Sequence, residues 1–398
     1  MEGAPRPPLI GRDEQLERMM ARLAFALAGQ GSAILISGEA GVGKSRLAEE
    51  FQALASHIDC LSIVTRCVAS GASYQPFIDA FVQCASVLPG LKRNPQFARF
   101  IGDDPVSRPG KPSPSLPERS ASVEGRSSED PTNRLFDGLG LLREVAAWKP
   151  LVLRIDDLHL SDTRTIQMLH FMTRELHGMK ALFVASFNDD ELFDRSEAPH
   201  PLIDAVRIMK REGSCEEVYL SPLTRTELKA ALEGMIGHRM SPSALNAIFD
   251  ECGGNPRIAV ELTREAVRDR TLRPSNGLMT LQSEDWMKIP PSLRAWIDKK
   301  LEVLAPAQKE ILECAALLGD SFEVDAIATM LAQDRLSVLE KLETAVREHR
   351  IYLESSSNYS FRWGVVRHVA LGAIPLPRRA ELLGRLGKSP LMTSDRSE

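Results

Sequence analysis

The six cysteines of this 398-residue chain (Cys60, Cys67, Cys84, Cys215, Cys252 and Cys314) are scattered, and none stands in a C-x-x-C pair. That spacing indicates neither a zinc site nor a disulfide framework, so a reducing, cytoplasmic setting is expected. No stretch approaches the ~18 uninterrupted apolar residues of a membrane span. Met1-Glu-Gly-Ala-Pro5 has no basic segment leading into an apolar one, so no secretory leader is expected. A net charge of −5 gives no sign of a chain-wide basic field for nucleic acid or of a polybasic membrane anchor. No helical repeat of fixed period is present. What remains is ordinary globular composition, 43% hydrophobic, in a chain long enough for about two to three domains.

The most specific feature is Gly38-Glu-Ala-Gly-Val-Gly-Lys-Ser45, placed directly after the apolar run Ser32–Ser37. Strand, glycine-rich turn and helix start together form the G-x-x-x-x-G-K-[ST] phosphate loop. Gly38, Gly41 and Gly43 let the backbone curl so that successive N–H groups, through Glu39, Ala40 and Val42, face one anion. The helix opening near Lys44 adds the positive end of its dipole. Lys44 is placed to reach the β- and γ-phosphates, and Ser45, followed by Arg46, to offer its hydroxyl to Mg²⁺.

Around the loop, β-like runs alternate with helical patterns. Asp13–Gly29 reads as a helix, with Leu16, Met19, Met20, Leu23, Ala24 and Leu27 at helical spacing. Further β-like runs fall at Leu61–Arg66, Leu151–Ile155, Ala181–Ser186 and Glu217–Leu220, separated by helical patterns. This alternation predicts a parallel sheet covered on both faces. Residues 102–131, rich in proline and serine, predict a disordered insertion near the rim of the site.

From Ser221 the strand signals stop. Helical patterns at Thr224–Met235, Ser241–Glu251 and Arg257–Arg268 predict a small bundle, then a linker around Leu272–Pro291 and more helices to Arg350. Apolar runs flanking Glu354-Ser-Ser-Ser-Asn358 read as a hairpin, which after helices suggests a winged-helix module. The expected units are 8–221, 222–288 and 289–388, with a flexible tail at 389–398.

Hydrolysis needs more than a phosphate loop. The strand Leu151–Ile155 delivers Asp156 and Asp157 at the carboxyl end of the sheet, where open α/β sheets place ligands. Asp156 is expected to position the Mg²⁺ shell, and Asp157 to orient or deprotonate the attacking water.

Several words in the chain resemble one family. They are Leu9-Ile-Gly-Arg-Asp13, Gly38–Leu47, Tyr74-Gln-Pro-Phe77, Asp156-Asp-Leu-His159, Leu220-Ser-Pro-Leu223, Gly254-Asn-Pro256 and Ile289-Pro-Pro-Ser-Leu293. The chain resembles the signal-transduction ATPases of the STAND class, with an origin-recognition-like AAA ATPase domain, as found in large bacterial transcription regulators and some adenylate or guanylate cyclases. The resemblance implies a P-loop NTPase sheet in the order 5-1-4-3-2, a helical lid, a winged helix, and ATP or ADP with Mg²⁺ as ligand. It implies that Ile10, Gly11 and Arg12 touch the adenine side, and that Gly254, Asn255 and Pro256 close over base and ribose.

Two departures stand out. Asn188 occupies the position where the family carries a γ-phosphate-sensing Arg, and Asn brings no charge. Phe361-Arg362-Trp363 stands where the family commonly reads Phe-Arg-His, and Trp cannot replace a phosphate-directed imidazole. Both favour a slow ATPase acting as a regulatory switch that controls a partner or self-assembly. The alternatives are a DNA-associated remodelling ATPase and a binding-only scaffold. DNA affinity is expected to be small. Residues 361–388 carry Arg362, Arg367, Arg378, Arg379, Arg385 and Lys388 against Glu381, but the wing 354–358 has no Lys or Arg.

Overall fold

The computed structural model describes residues 9–69, 71–102, 131–192, 200–283, 285–346, 351–355 and 358–387. The expected insertion, apart from its two ends, and the expected tail both lie outside the described residues, as does Lys388.

The first half alternates as the apolar pattern requires. α1 (Asp13–Leu27), β1 (Ser32–Ser37), α2 (Lys44–Ala55) and β2 (Leu61–Arg66) come first, then α3 (Gln75–Val87), α4 (Pro95–Ile101) and α5 (Pro131–Trp148). β3 (Leu151–Asp156), α6 (Thr163–Glu175), β4 (Ala181–Ser186), α7 (Pro201–Glu212) and β5 (Cys215–Tyr219) complete it. The five strands pair in parallel in the order β2-β3-β4-β1-β5, the expected 5-1-4-3-2 read from the other edge.

Two apolar layers cover the sheet. On one face Met19 and Leu23 of α1 and Leu47 and Phe51 of α2 pack on Ile34, Ile36, Val152 and Val184. On the other, α3 to α7 pack on Leu35, Leu153, Ile155 and Phe183. Strands buried on both faces explain why β3 and β4 read as near-continuous apolar runs. The parallel register aligns Arg66 with Asp156 and Ile36 with Ser186, so the carboxyl ends of β1, β3 and β4 finish together.

The second half is helical with short strands. α8 (Arg225–Ile236) opens with a Thr224/Glu227 capping box. It is followed by α9 (Pro242–Cys252), α10 (Pro256–Arg268), β6 (Leu272–Ser275) and β7 (Leu278–Leu281). The expected linker at 272–291 therefore begins with a hairpin. Asn276 and Gly277 both have positive φ, 52° and 78°, the type I′ turn that an Asn-Gly pair favours. Pro274 inside β6 obscures the strand signal, because proline is confined to edge strands and this sheet has only edges.

Then come α11 (Pro291–Glu302), α12 (Pro306–Leu318), β8 (Ser321–Phe322), α13 (Val324–Leu331), α14 (Arg335–Thr344), β9 (Tyr352–Ser355), β10 (Asn358–Phe361), α15 (Gly364–Ala373) and α16 (Leu376–Gly387). The hairpin expected around residue 356 is present as β9–β10, with β8 added on its outer edge. Buried residues from Leu223 to Leu382 form one continuous apolar cluster, so the helices after β5 share a single core. Among the described residues no helix is long and apolar enough to cross a membrane.

Candidate functional site

The loop after β1 turns sharply because its glycines adopt conformations closed to other residues. Gly38 has φ +146°, and a Cβ there would lie 2.6 Å from the Leu220 carbonyl. Gly41 has φ +86°, and a Cβ would meet Asn255 Oδ1 at 2.8 Å and Arg257 Cβ at 2.9 Å. The Leu220 carbonyl and the Asn255 and Arg257 side chains thus crowd Gly38 and Gly41, leaving no room for a Cβ at either. Lys44 opens α2 and is buried. Its Nζ donates to the carbonyls of Gly38 and Glu39, each at 2.8 Å. Burial pulls its pKa below the ordinary lysine value, opposed by Asp190, Asp189, Glu191 and Asp157. Ser45 and Arg46 follow on the same helix, with Ser45 exposed.

Three other segments fasten onto this loop. Arg12 is buried and donates from Nη2 to the Ser221 carbonyl at 2.6 Å and to the Val42 carbonyl at 3.5 Å, tying the N-terminal Ile10-Gly-Arg12 word to the loop. Gly11 has φ +68°, and a Cβ there would collide with the Glu227 carboxylate. Ile10 packs on the core of the second half. Asn255 is fully buried and serves two masters. Its Oδ1 caps α10 by accepting from Arg257 N at 3.1 Å, and its Nδ2 donates to the Ala40 carbonyl at 3.0 Å and Glu39 Oε1 at 3.4 Å. Pro256, at the first turn of α10, is partly exposed beside it.

The third fastening comes from the last part of the chain. Glu39, 1% exposed, receives Arg362 Nε at 2.6 Å. Asp190 accepts the Ala40 N–H at 3.1 Å on one oxygen and ion-pairs with Lys300 of α11 on the other. Burial raises the Glu39 carboxyl above its ordinary value, and Arg362 works against that. Trp363, the departure beside Arg362, is buried against Trp296 at 5.6 Å between ring centroids, with Lys300 5.7 Å from its own centroid. Its Nε1 has no hydrogen-bond partner among the described residues. The indole is a packing wedge, and the neighbouring Arg362 makes the charged contact with the phosphate loop.

The acidic pair behaves differently from expectation. Asp156 is 2% exposed and already neutralised: Arg154 of the same strand donates from Nε to Oδ1 at 3.0 Å and from Nη2 to Oδ2 at 2.6 Å. Ser186 Oγ adds a bond to Oδ1 at 3.2 Å. Asp157 leaves the strand in a left-handed conformation, φ +60°, with its carboxylate 3.3 Å from Arg66 Nε. It remains partly exposed. Asn188 follows β4, with its N–H donating to His159 Nδ1 at 3.2 Å and its Nδ2 donating to Glu191 Oε1 at 2.8 Å. His159 Nε2 lies 3.1 Å from Asn188 Nδ2 and 3.4 Å from Glu191 Oε2. Burial works to raise the Glu191 carboxyl, but His159 and Lys300 outweigh it and hold it down at about 2.

The groups present fit a nucleotide and fit its metal poorly. The curled loop, the Lys44 ammonium and the N-terminus of α2 are the parts a polyphosphate needs, though Ala40 N–H and Lys44 Nζ here bond protein oxygens. For Mg²⁺, Ser45 offers a hydroxyl, but both oxygens of Asp156 are engaged. Among the described residues no group of three or more His, Cys, Asp or Glu could hold a metal ion.

The loop, Asp156, Asp157, Asn188, Arg12 and Asn255 were all visible as words in the sequence. Arg154, Asp190, Lys300 and the role of Arg362 were not. Only Arg154 left a local signal, since residues two apart on a strand share a face.

Residues 8–184 match the AAA ATPase domain family. A curated but uncharacterized protein of Rhizobium meliloti (strain 1021) is 23% identical over 403 aligned positions, covering 95% of this chain and 36% of that protein. The chain therefore spans about a third of the length of the curated relative it matches. Among solved structures, a Signal Transduction ATPase with Numerous Domains (STAND) protein with a tetratricopeptide repeat sensor from Pyrococcus horikoshii is 14% identical, TM-score 0.40. That match covers 98% of this chain and 47% of that one. RuvB of Thermotoga maritima is 16% identical, TM-score 0.41, covering 92% and 96%. Drosophila ORC bound to DNA is 14% identical, TM-score 0.41, covering 93% and 89%.

Proposed function

From the AAA ATPase domain at residues 8–184, we propose that this chain is a nucleotide-gated regulatory switch with slow hydrolysis. ATP or ADP bound at the phosphate loop sets whether the second half of the chain stays clamped on it. The observation that carries this reading is the bond between Glu39, inside the loop, and Arg362, 323 residues away. A phosphate entering the loop needs the Ala40 N–H and Lys44 Nζ, which Asp190 and two loop carbonyls hold here. Freeing Ala40 disturbs Asp190, and Asp190 is the partner of Lys300. Occupancy of the loop is therefore coupled to the grip of the second half. The units 8–221, 222–288 and 289–388 are the working division. The last two, whose order of helices and hairpin suits a lid and a winged helix, would move as one body because they share a core.

Slow hydrolysis follows from the same groups. Asn188 is tied to His159 and Glu191 and brings no cation to a developing phosphoryl charge. Asp157 is left to orient water while paired with Arg66. The output would be a separate protein or a second copy of the chain, in a reducing compartment suited to its free thiols.

A DNA-handling role gains no support. Among the described residues, the arginines of the last segment all bond within the molecule. Arg362 bonds Glu39, Arg367 bonds Asp320, Arg378 bonds Glu313, Arg385 bonds Glu381, and Arg379 caps the carbonyls at the end of α15.

The test is limited proteolysis of the purified chain with ADP, with ATP and with neither, alongside Lys44→Ala. Distinct cleavage patterns for the two nucleotides, both lost in Lys44→Ala, are the expected result. Identical patterns despite measured nucleotide binding would sink the switch.

A further inference from the structure

The disagreement between Asp156 and its expected metal has a specific source. β3 lies inside the sheet, between β2 and β4, and its alternation puts Arg154 and Asp156 on the face covered by α2. A guanidinium buried to 7% exposure needs partners, and each of its three nitrogens has one. Nε and Nη2 grip Asp156 in a fork, and Nη1 donates to Gln52 Oε1 of α2 at 3.2 Å. Asp157 has its own arginine, Arg66, from the end of β2. Each carboxylate of the acidic pair thus carries a resident cation from the protein.

We propose that Arg154 is a built-in counter-ion to Asp156 that satisfies the carboxylate Mg²⁺ would otherwise be drawn to, so that the loop binds nucleoside diphosphate with little need for the metal. The inference rests on the loop being a nucleotide site. A divalent ion drawn to Asp156 must first displace Arg154, and this would strand a guanidinium in the sheet interior without its counter-charge. Coordination through Oδ2 alone would still have to compete with Arg154 Nη2, which donates to that oxygen at 2.6 Å. The carboxylate therefore exerts far less pull on Mg²⁺ than an unpaired aspartate at the same strand end. Arg154 acts through Asp156 and is a positioning residue, not a catalytic one.

The experiment measures ADP affinity of the whole chain by calorimetry, once in Mg²⁺ and once in EDTA, for the native protein, Arg154→Met and Arg154→Lys. The native affinities are expected to agree within about threefold, because Asp156 is already paired with Arg154 and exerts little pull on the metal. Arg154→Met, which frees Asp156, should bind ADP about tenfold or more tightly in Mg²⁺ than in EDTA. Arg154→Lys keeps the charge but loses the fork, and should fall between them. A merely structural role for Arg154 would lower both affinities alike and leave their ratio unchanged. If Arg154→Met does not fold, the native ratio and Arg154→Lys still decide. A native affinity that collapses on chelation overturns the proposal while leaving nucleotide binding intact. No ADP binding in either condition overturns the nucleotide reading, and this inference with it.

Discussion

The clamp between Glu39 and Arg362 can be weighed directly. Replace Arg362 by Met, which keeps much of the stem and deletes the charge. Glu39 is 1% exposed, and its remaining side-chain donor is Asn255 Nδ2 at 3.4 Å. Removing one partner of a fully buried ion pair costs about 3–5 kcal/mol. Two facts lower that figure here. The Arg362 side chain is 17% exposed, and burial has already raised the Glu39 carboxyl, which eases its escape into the neutral form. About 2–3 kcal/mol is the reasonable expectation, a roughly 30- to 140-fold shift toward the released state. Glu39→Gln should cost less, about 1 kcal/mol, since the orphaned guanidinium can turn to solvent. The double variant, with no buried charge left, should be milder than Arg362→Met, giving a coupling of about 2 kcal/mol. Hydrogen exchange of the amides at 38–45 reads this opening without unfolding the sheet. The sign with pH is also set. With its folded pKa raised above 4.5, Glu39 contributes stability that is complete below 4.5 and lost as pH rises through the folded value. The penalty of Arg362→Met should therefore shrink on acidification. A coupling below about 0.5 kcal/mol, with exchange unchanged, would refute the clamp.

Three further outcomes are expected. Gly41→Ala should expose the first turn of α10 to hydrogen exchange while the far-ultraviolet circular dichroism stays native, because the new Cβ meets Asn255 and Arg257 and must adopt φ +86°. His368 of α15 pairs with Glu251 of α9 at 3.1 Å, and that hydrogen bond raises its pKa above 6.5 against the effect of burial. Its stabilisation is complete below pH 6.5 and disappears as pH rises through the folded value, so the thermal midpoint should fall over that window and the slope should flatten in His368→Gln. In single-turnover hydrolysis, Asp157→Asn should slow the reaction about 100-fold at unchanged nucleotide affinity. An unchanged rate would remove Asp157 from the chemistry.

Much of the first half was legible because its signals are local. β1 and the loop could be read from an apolar run and three glycines, and the φ angles of Gly38, Gly41 and Gly43 explain why glycine stands there. The β6–β7 hairpin carried an Asn276-Gly277 signal that Pro274 masked. Arg154 was readable in principle, since strand alternation puts it on the same side as Asp156, but only the sheet shows that this side is sealed by α2. Trp363 was legible as the absence of an imidazole. That its neighbour Arg362 would reach the loop was not.

The sequence by itself determined a strand, a phosphate loop, a helix and an acidic pair at the end of a second strand. Backbone conformation and hydrophobic period act over a few residues, and they leave their mark in composition. The tertiary structure alone decided which side chains meet that loop. Glu39 with Arg362, Asp190 with Lys300 and Ala40 with Asn255 are separated by 323, 110 and 215 residues. Polar contacts across such distances have no period and no spacing rule. They exist because elements far apart in sequence pack together in the fold, and a polar group buried between them must find a partner.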